Sequence, residues 1–144
     1  MNIIQALESL KSSIEGDVFL DNVHLTLYST DASVYRERPL AVVRPKSVDD
    51  IKKVIHFATE HKTSVIPRTA GTSLAGQVVG SGIIVDVSKY FTKIIEVNKE
   101  EKWVRVQPGV VLDELNKHLE AFGLFFGPET STSNRCMIGG MVGN

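Results

Sequence analysis

The amino-acid sequence predicts an α+β fold: a small mixed sheet flanked by helices, with an antiparallel hairpin added. Three observations carry that expectation. Apolar residues recur at helical spacing in three segments, and short runs of β-branched residues alternate with them. Two further β-branched runs flank the polar stretch Asn98-Lys99-Glu100-Glu101, as the arms of a hairpin flank a turn.

Taken in order, Ile3, Ile4, Leu7, Leu10 and Ile14 form one face of an amphipathic helix that Gly16 stops. Val42-Val43, ahead of Arg44-Pro45, reads as a short buried strand. Ser47 begins Ser-Val-Asp-Asp, a start resembling a capping box with acid in the first turn. Val48, Ile51, Val54, Ile55 and Ala58 then predict a helix running to about His61. Ser64-Val65-Ile66 is a second strand that delivers the chain into a loop of small residues beginning at Pro67. Ile83 to Val87 is a third strand, and Lys93–Val97 with Lys102–Gln107 form the hairpin. Leu112, Leu115, Leu119 and Phe122 mark a last helix, closed by Gly123 at a C′ position. Trp103 is expected in the core, and Asp49, Asp50, Asp113 and Glu114 are explained by helix dipoles and capping.

Composition excludes several classes of function. The chain has 144 residues, 42% hydrophobic and 23% charged, the profile of one globular domain or a large piece of one. A formal net charge of −1, with no basic run interleaved with aromatics, offers no field for nucleic acid. No basic-then-apolar leader opens the chain, and no apolar stretch approaches the ~20 residues of a membrane span. The expected setting is cytoplasmic, or peripheral to the inner membrane in the parent protein. Cys136 is the only cysteine, so the chain holds neither an internal disulfide nor a cysteine cluster for zinc or iron–sulfur. His24, His56, His61 and His118 are scattered without ligand spacing, and no metal site is expected.

Two stretches carry the chemistry. Pro67-Arg68-Thr69-Ala70-Gly71-Thr72-Ser73-Leu74-Ala75-Gly76-Gln77 is one, and Gly127-Pro128-Glu129 through Ser133-Asn134-Arg135 to Ile138-Gly139-Gly140-Met141-Val142-Gly143-Asn144 is the other. Small residues let backbone N–H groups face a ligand closely, and two such loops together suggest a bound diphosphate cofactor. Gly71 and Gly76 have Walker-type spacing, but Gln77-Val78 stands where Lys and Ser or Thr should follow, which disfavours triphosphate hydrolysis. The Gly-x-Gly-x-x-Gly of a Rossmann fold is absent. Gly71-Thr72-Ser73-Leu74-Ala75 only partly matches a nucleophile elbow. A surface turn that binds nothing is the competing account of the first loop taken alone. Arg68 and Arg135 are each able to pair with phosphate or with a carboxylate of the fold. Cys136 is either a buried small hydrophobe or, less in keeping with its neighbours, a reactive thiol.

The ordered blocks Asp31-Ala32-Ser33-Val34-Tyr35, Pro39 to Pro45, Pro67 to Leu74, Ile84 to Ser88, Val106 to Val110 and Ser131 to Gly140 resemble the FAD-binding domain of the p-cresol methylhydroxylase and vanillyl-alcohol oxidase superfamily. Within it the chain is most similar to FAD-linked 2-hydroxyacid dehydrogenases: D-lactate dehydrogenases, the glycolate oxidase flavoprotein subunit, D-2-hydroxyglutarate dehydrogenase and relatives fused to an iron–sulfur module. The resemblance implies that residues 1–144 are the N-terminal portion of a PCMH-type domain, truncated within its second cofactor-binding segment. It implies FAD held by Arg68, Thr69, Ala70, Gly71, Thr72, Ser73 and Leu74 at the pyrophosphate. Pro128, Glu129, Thr130, Ser133, Ile138, Gly139, Gly140 and Asn144 match the second binding segment, where a ribose or adenine hydrogen bond suits the Glu129 carboxylate better than phosphate.

Thr72 stands where some relatives attach flavin through a histidine, which implies a non-covalent cofactor. The implied reaction of the parent is oxidation of a 2-hydroxy acid by hydride transfer to the flavin, with electrons leaving through an iron–sulfur partner or a quinone. The catalytic base, the substrate clamp and the electron exit are expected outside this chain. A non-enzymatic nucleotide-binding or regulatory module is the alternative, and the fragment alone is expected to be inactive.

Overall fold

Asn2 opens the first helix, its Oδ1 accepting from the Ile4 N–H at 3.3 Å. The computed structural model describes residues 2–143, and its contacts fall into two units, Met1–Arg68 with Ser73–Asp86 and Thr69–Thr72 with Val87–Asn144. Each has its own core.

In the first unit, α1 (Ile3–Ser13) turns Ala6, Leu7 and Leu10 inward; of the face that the spacing predicts, Leu7, Leu10 and Ile14 are buried, while Ile4 is exposed. A short strand β1 (Asp17–Phe19) and a six-residue helix α2 (Asn22–Leu27) follow, capped by Asp21, whose carboxylate accepts from the N–H groups of Val23 and His24. Neither element shows in the sequence, because three and six residues are too short to reveal a period. Next come β2 (Ala41–Arg44), α3 (Val48–Glu60), β3 (Val65–Arg68) and β4 (Ile83–Asp86). The strand order is β1-β2-β4-β3, with β1 antiparallel to β2 and the other pairs parallel. Ala41, Val42, Val43, Ile83 and Ile84 are fully buried, which explains why the two central strands read as unbroken apolar runs.

The first loop does not begin at Pro67. Pro67 and Arg68 continue β3, paired in register with Val85 and Asp86. Proline is tolerated there because β3 is an edge strand, where a missing N–H need not break a ladder on both sides.

Helix α3 starts as predicted, with Ser47 Oγ accepting from the Asp50 N–H at 3.2 Å. Asp50 does more than complement a dipole. Its carboxylate is fully buried and accepts from the N–H groups of Glu15 and Gly16 at 3.0 Å each and of Lys46 at 2.9 Å, fastening the α1–β1 turn to the head of α3. Burial alone would raise its pKa, but the three N–H donors outweigh that and hold the carboxyl below its ordinary value.

In the second unit, β5 (Ile94–Asn98) and β6 (Trp103–Val106) form the expected antiparallel hairpin, with an irregularity between Ile94 and Glu96. Helix α4 (Leu112–Leu119) passes into a 3₁₀ turn over Glu120–Phe122 that ends at Gly123, whose φ of 67° is left-handed. This is the conformation for which a C′ glycine is suited. Leu112, Leu115 and Leu119 pack with Val110, Cys136 and Ile138. Trp103 departs from expectation: it is only half-buried, with its Nε1 donating to Glu101 Oε2 at 2.6 Å and Arg105 over its ring. A two-stranded hairpin has one wet face, and its indole keeps a polar tip there. A last helix, α5 (Ile138–Gly143), is not anticipated by the sequence reading, which treats that run as loop.

Candidate functional site

The second unit brings parts of both predicted stretches together. The Ile138 N–H donates to the Val110 carbonyl and the Gly139 N–H to the Pro108 carbonyl, both at 2.9 Å, so the start of α5 is sewn to the segment that follows β6. An isolated bridge joins Val111 to Met137. At Gly139 a Cβ would lie 2.5 Å from Pro108 Cβ, and at Gly140 it would lie 2.7 Å from Thr69 Oγ1. Glycine at Gly140 therefore lets α5 reach the first residue of the small-residue loop. Thr69, Ala70, Gly71 and Thr72 are all half-buried, and Gly71 has a φ of 67°. Among the described residues, the backbone N–H groups from Ala70 to Thr72 donate to no other backbone group.

That combination is one that a phosphate-bearing ligand could use. N–H groups in a small-residue loop that are not taken up by other backbone groups can donate to phosphate oxygens, and threonine hydroxyls beside them add donors. Gly71→Val should weaken retention of such a ligand by at least ~10-fold, since a β-branched residue resists the left-handed region and adds bulk at the loop. A ligand titration of the variant against wild type checks it.

Other predicted residues of the second stretch are ordered by short-range bonds. The N–H groups of Arg135 and Cys136 both donate to the Thr132 carbonyl, at 2.8 and 2.7 Å. Thr130 Oγ1 donates to Cys136 Sγ at 3.2 Å, and the Ser133 carbonyl accepts from the Asp113 N–H at 3.2 Å. Pro128, Glu129 and Thr130 are exposed and Ser133 half-buried, while Ile138 is buried. Asn144 lies outside the described residues. Cys136 is 4% exposed and packed in the α4 cluster, a small hydrophobe in its surroundings. Arg135 is exposed and donates to Asn134 Oδ1 at 3.1 Å.

The first unit holds the remainder of the first loop. Ser73 is half-buried, its Oγ accepting from the Ala75 N–H at 3.3 Å, and Leu74 is 79% exposed. Tyr35 lies over Gly76, where a Cβ would come within 2.6 Å of its ring, and the two line an open concavity of about 290 Å³ with Arg36, Glu37, Ala75 and Val79. Arg68 points its guanidinium at backbone carbonyls of this unit, the nearest being Thr30 at 2.9 Å. Beneath it is a polar cluster that the sequence reading does not contain. Tyr28 donates to Asp86 Oδ2 at 2.5 Å, and Arg44 donates to the Tyr28 hydroxyl through Nε and Nη2 at 3.0 and 2.7 Å. Burial and the bond to Asp86 push the Tyr28 phenol up, further from ionisation. No periodic or motif signal announces such a cluster, whose members lie on α2's end, β2 and β4.

A family model described as an FAD binding domain matches residues 39–144. The D-2-hydroxyglutarate dehydrogenase of Escherichia coli K12 is 43% identical over 145 aligned residues, covering 99% of this chain and 14% of that protein. The mitochondrial D-lactate dehydrogenase [cytochrome] of Kluyveromyces lactis is 34% identical, covering 97% of this chain and 26% of that protein. The chain thus spans a seventh to a quarter of these relatives' length. Among solved structures, p-cresol methylhydroxylase with substrate bound superposes with a TM-score of 0.66 at 19% identity, over 85% of this chain and 25% of that one. That likeness establishes the shared fold. Among the described residues no helix is long and apolar enough to cross a membrane.

Proposed function

Because this chain belongs to the FAD-binding domain family, we propose that it forms the cofactor-holding portion of a flavin-dependent oxidoreductase that oxidises a 2-hydroxy acid. One observation supports the placement of the cofactor more than any other: Gly140 leaves room for α5 to stand against Thr69, so one ligand can meet both small-residue stretches. In this reading the N–H groups of Ala70 to Thr72, with those of Ser73 and Leu74, donate to the pyrophosphate, joined by the hydroxyls of Thr69, Thr72 and Ser73. Glu129 accepts from ribose or adenine. Pro128, Thr130, Ser133, Ile138, Gly139 and Gly140 line the second segment, with Asn144 beyond the described residues.

FAD, when bound, supplies a two-electron acceptor for hydride. The chain's own share of the work is to bind and orient that group and to keep water from it. The substrate class follows from the relatives, whose names specify D-2-hydroxyglutarate and D-lactate. The residues that take the hydroxyl proton, clamp the substrate carboxylate and pass electrons to an iron–sulfur module or quinone belong, on this proposal, to parts of the polypeptide outside residues 1–144. A cytoplasmic setting accompanies it.

The test is a calorimetric titration of the full-length polypeptide with FAD, FMN and NAD. FAD is expected to bind in strong preference to the other two, and acid precipitation of the loaded protein should leave the yellow flavin in the supernatant. NAD binding without FAD binding would sink the proposal, and flavin carried down with the protein would contradict non-covalent attachment.

A further inference from the structure

Arg68 is the last residue of edge strand β3, just before the small-residue loop, and a cation there invites assignment to phosphate. Its surroundings in the first unit point elsewhere. Nη1 donates to the Thr30 carbonyl at 2.9 Å and approaches those of Tyr28 and Val78 at 3.5 Å each. Its Cζ stands 5.1 Å from the centroid of the Tyr28 ring. The guanidinium of Arg44 is 5.6 Å from the same ring and is bonded to its hydroxyl, as is Asp86. Asp86 is also the partner of Arg68 in the β3–β4 register. Tyr28 is thus fixed by its hydroxyl and serves as a rigid plate for Arg68. The carbonyl that Arg68 grips belongs to a segment closed on itself by the Thr30–Arg36 bridge and by the Glu37 N–H bond to the Ser29 carbonyl at 2.9 Å.

We propose that Arg68 is a positioning residue rather than a phosphate ligand: its planar guanidinium clamps the end of β3 to the Thr30 carbonyl and the Tyr28 ring, fixing the strand residue from which the loop departs. This rests on the reading of that loop as an FAD site. To reach a phosphate, Arg68 would have to give up the Thr30 carbonyl and the ring face together. A guanidinium suits the clamp because it stacks flat and donates from its edge at the same time, which an ammonium on a flexible stem does not.

That difference makes Arg68→Lys and Arg68→Met the informative pair, studied in the full-length polypeptide. The readouts are the FAD dissociation constant over a roughly tenfold range of salt and the thermal midpoint. A clamp predicts that both variants lose FAD affinity by a similar factor, on the order of 10-fold, while the slope of log Kd against log salt stays that of wild type. Amides of residues 29–37 should exchange hydrogen faster in both. A phosphate ligand predicts the opposite: lysine keeps most of the affinity as a point charge, and methionine flattens the salt slope. Either that pattern, or unchanged affinity in both variants, overturns the proposal. If methionine prevents folding, the lysine variant carries the test alone. A wild type that binds no FAD would instead overturn the FAD reading itself, and this inference with it.

Discussion

Gly140→Val is expected to abolish FAD retention, lowering affinity ~100-fold or more, about 3 kcal/mol, while the hairpin β5–β6 and helix α4 remain folded. The position is helical and does not need the left-handed region, so its backbone accepts a side chain. Space decides the outcome. A Cβ there would lie 2.7 Å from Thr69 Oγ1, and valine adds two methyl groups beyond that atom. Either α5 withdraws or Thr69 is driven from the place where its hydroxyl and the following N–H groups face a ligand. Gly140→Ala should lose less, since a threonine hydroxyl can rotate to another rotamer. Combining it with Thr69→Ala should be non-additive, because the second change removes the atom that the first one strikes. Fluorescence titration with FAD and a thermal melt on each variant give the affinity and the folding separately. Full retention in the valine variant would mean that α5 and the loop do not share one ligand.

Much of this arrangement is legible in the sequence because its signals are local. The Ser47 cap, the leucines of α4 and the glycine that ends the 3₁₀ turn each act within a few residues, and each stands where the pattern puts it; of the apolar face expected for α3, Val54 and Ala58 are buried but Val48 and Ile55 are exposed, with Asp50 and Phe57 turned inward instead. The small-residue loops are legible as candidates for the same reason. What the sequence conceals is pairing at a distance. Asp50 looks like any first-turn acid, yet its three donors include two from residues more than thirty positions earlier. Nothing near Arg68 in the sequence announces the Thr30 carbonyl and the Tyr28 ring that stand beside its guanidinium. That Gly140 stands against Thr69 depends on α5 being sewn to Pro108 and Val110, which no spacing encodes. Trp103 misleads because hydrophobic bulk predicts burial, and a hairpin with one open face does not supply it.

Asp50→Ala should be the most destabilising single substitution at a polar position of the first unit, by about 3 kcal/mol or more, a drop of roughly 10 °C in the thermal midpoint. The carboxylate is fully buried, and removing it leaves the N–H groups of Glu15, Gly16 and Lys46 without their acceptor. The α1–β1 turn then loses its tie to α3. Asp50→Asn should fall between, since one amide oxygen can still accept while the NH₂ opposes a backbone donor. The pH dependence separates charge from shape. Burial acts to raise this carboxyl, the three donors act more strongly to lower it, and its folded-state pKa lies below the ordinary value. Its stabilisation is therefore complete above the unfolded-chain pKa, about 4, and is lost as pH falls through the lower folded-state value. The gap in stability between wild type and Asp50→Asn should be constant from neutral pH down to about 5 and then narrow. Chemical denaturation of the three proteins across that range measures it. A gap that stays level into strong acid would show that the ionised carboxylate contributes nothing beyond its shape.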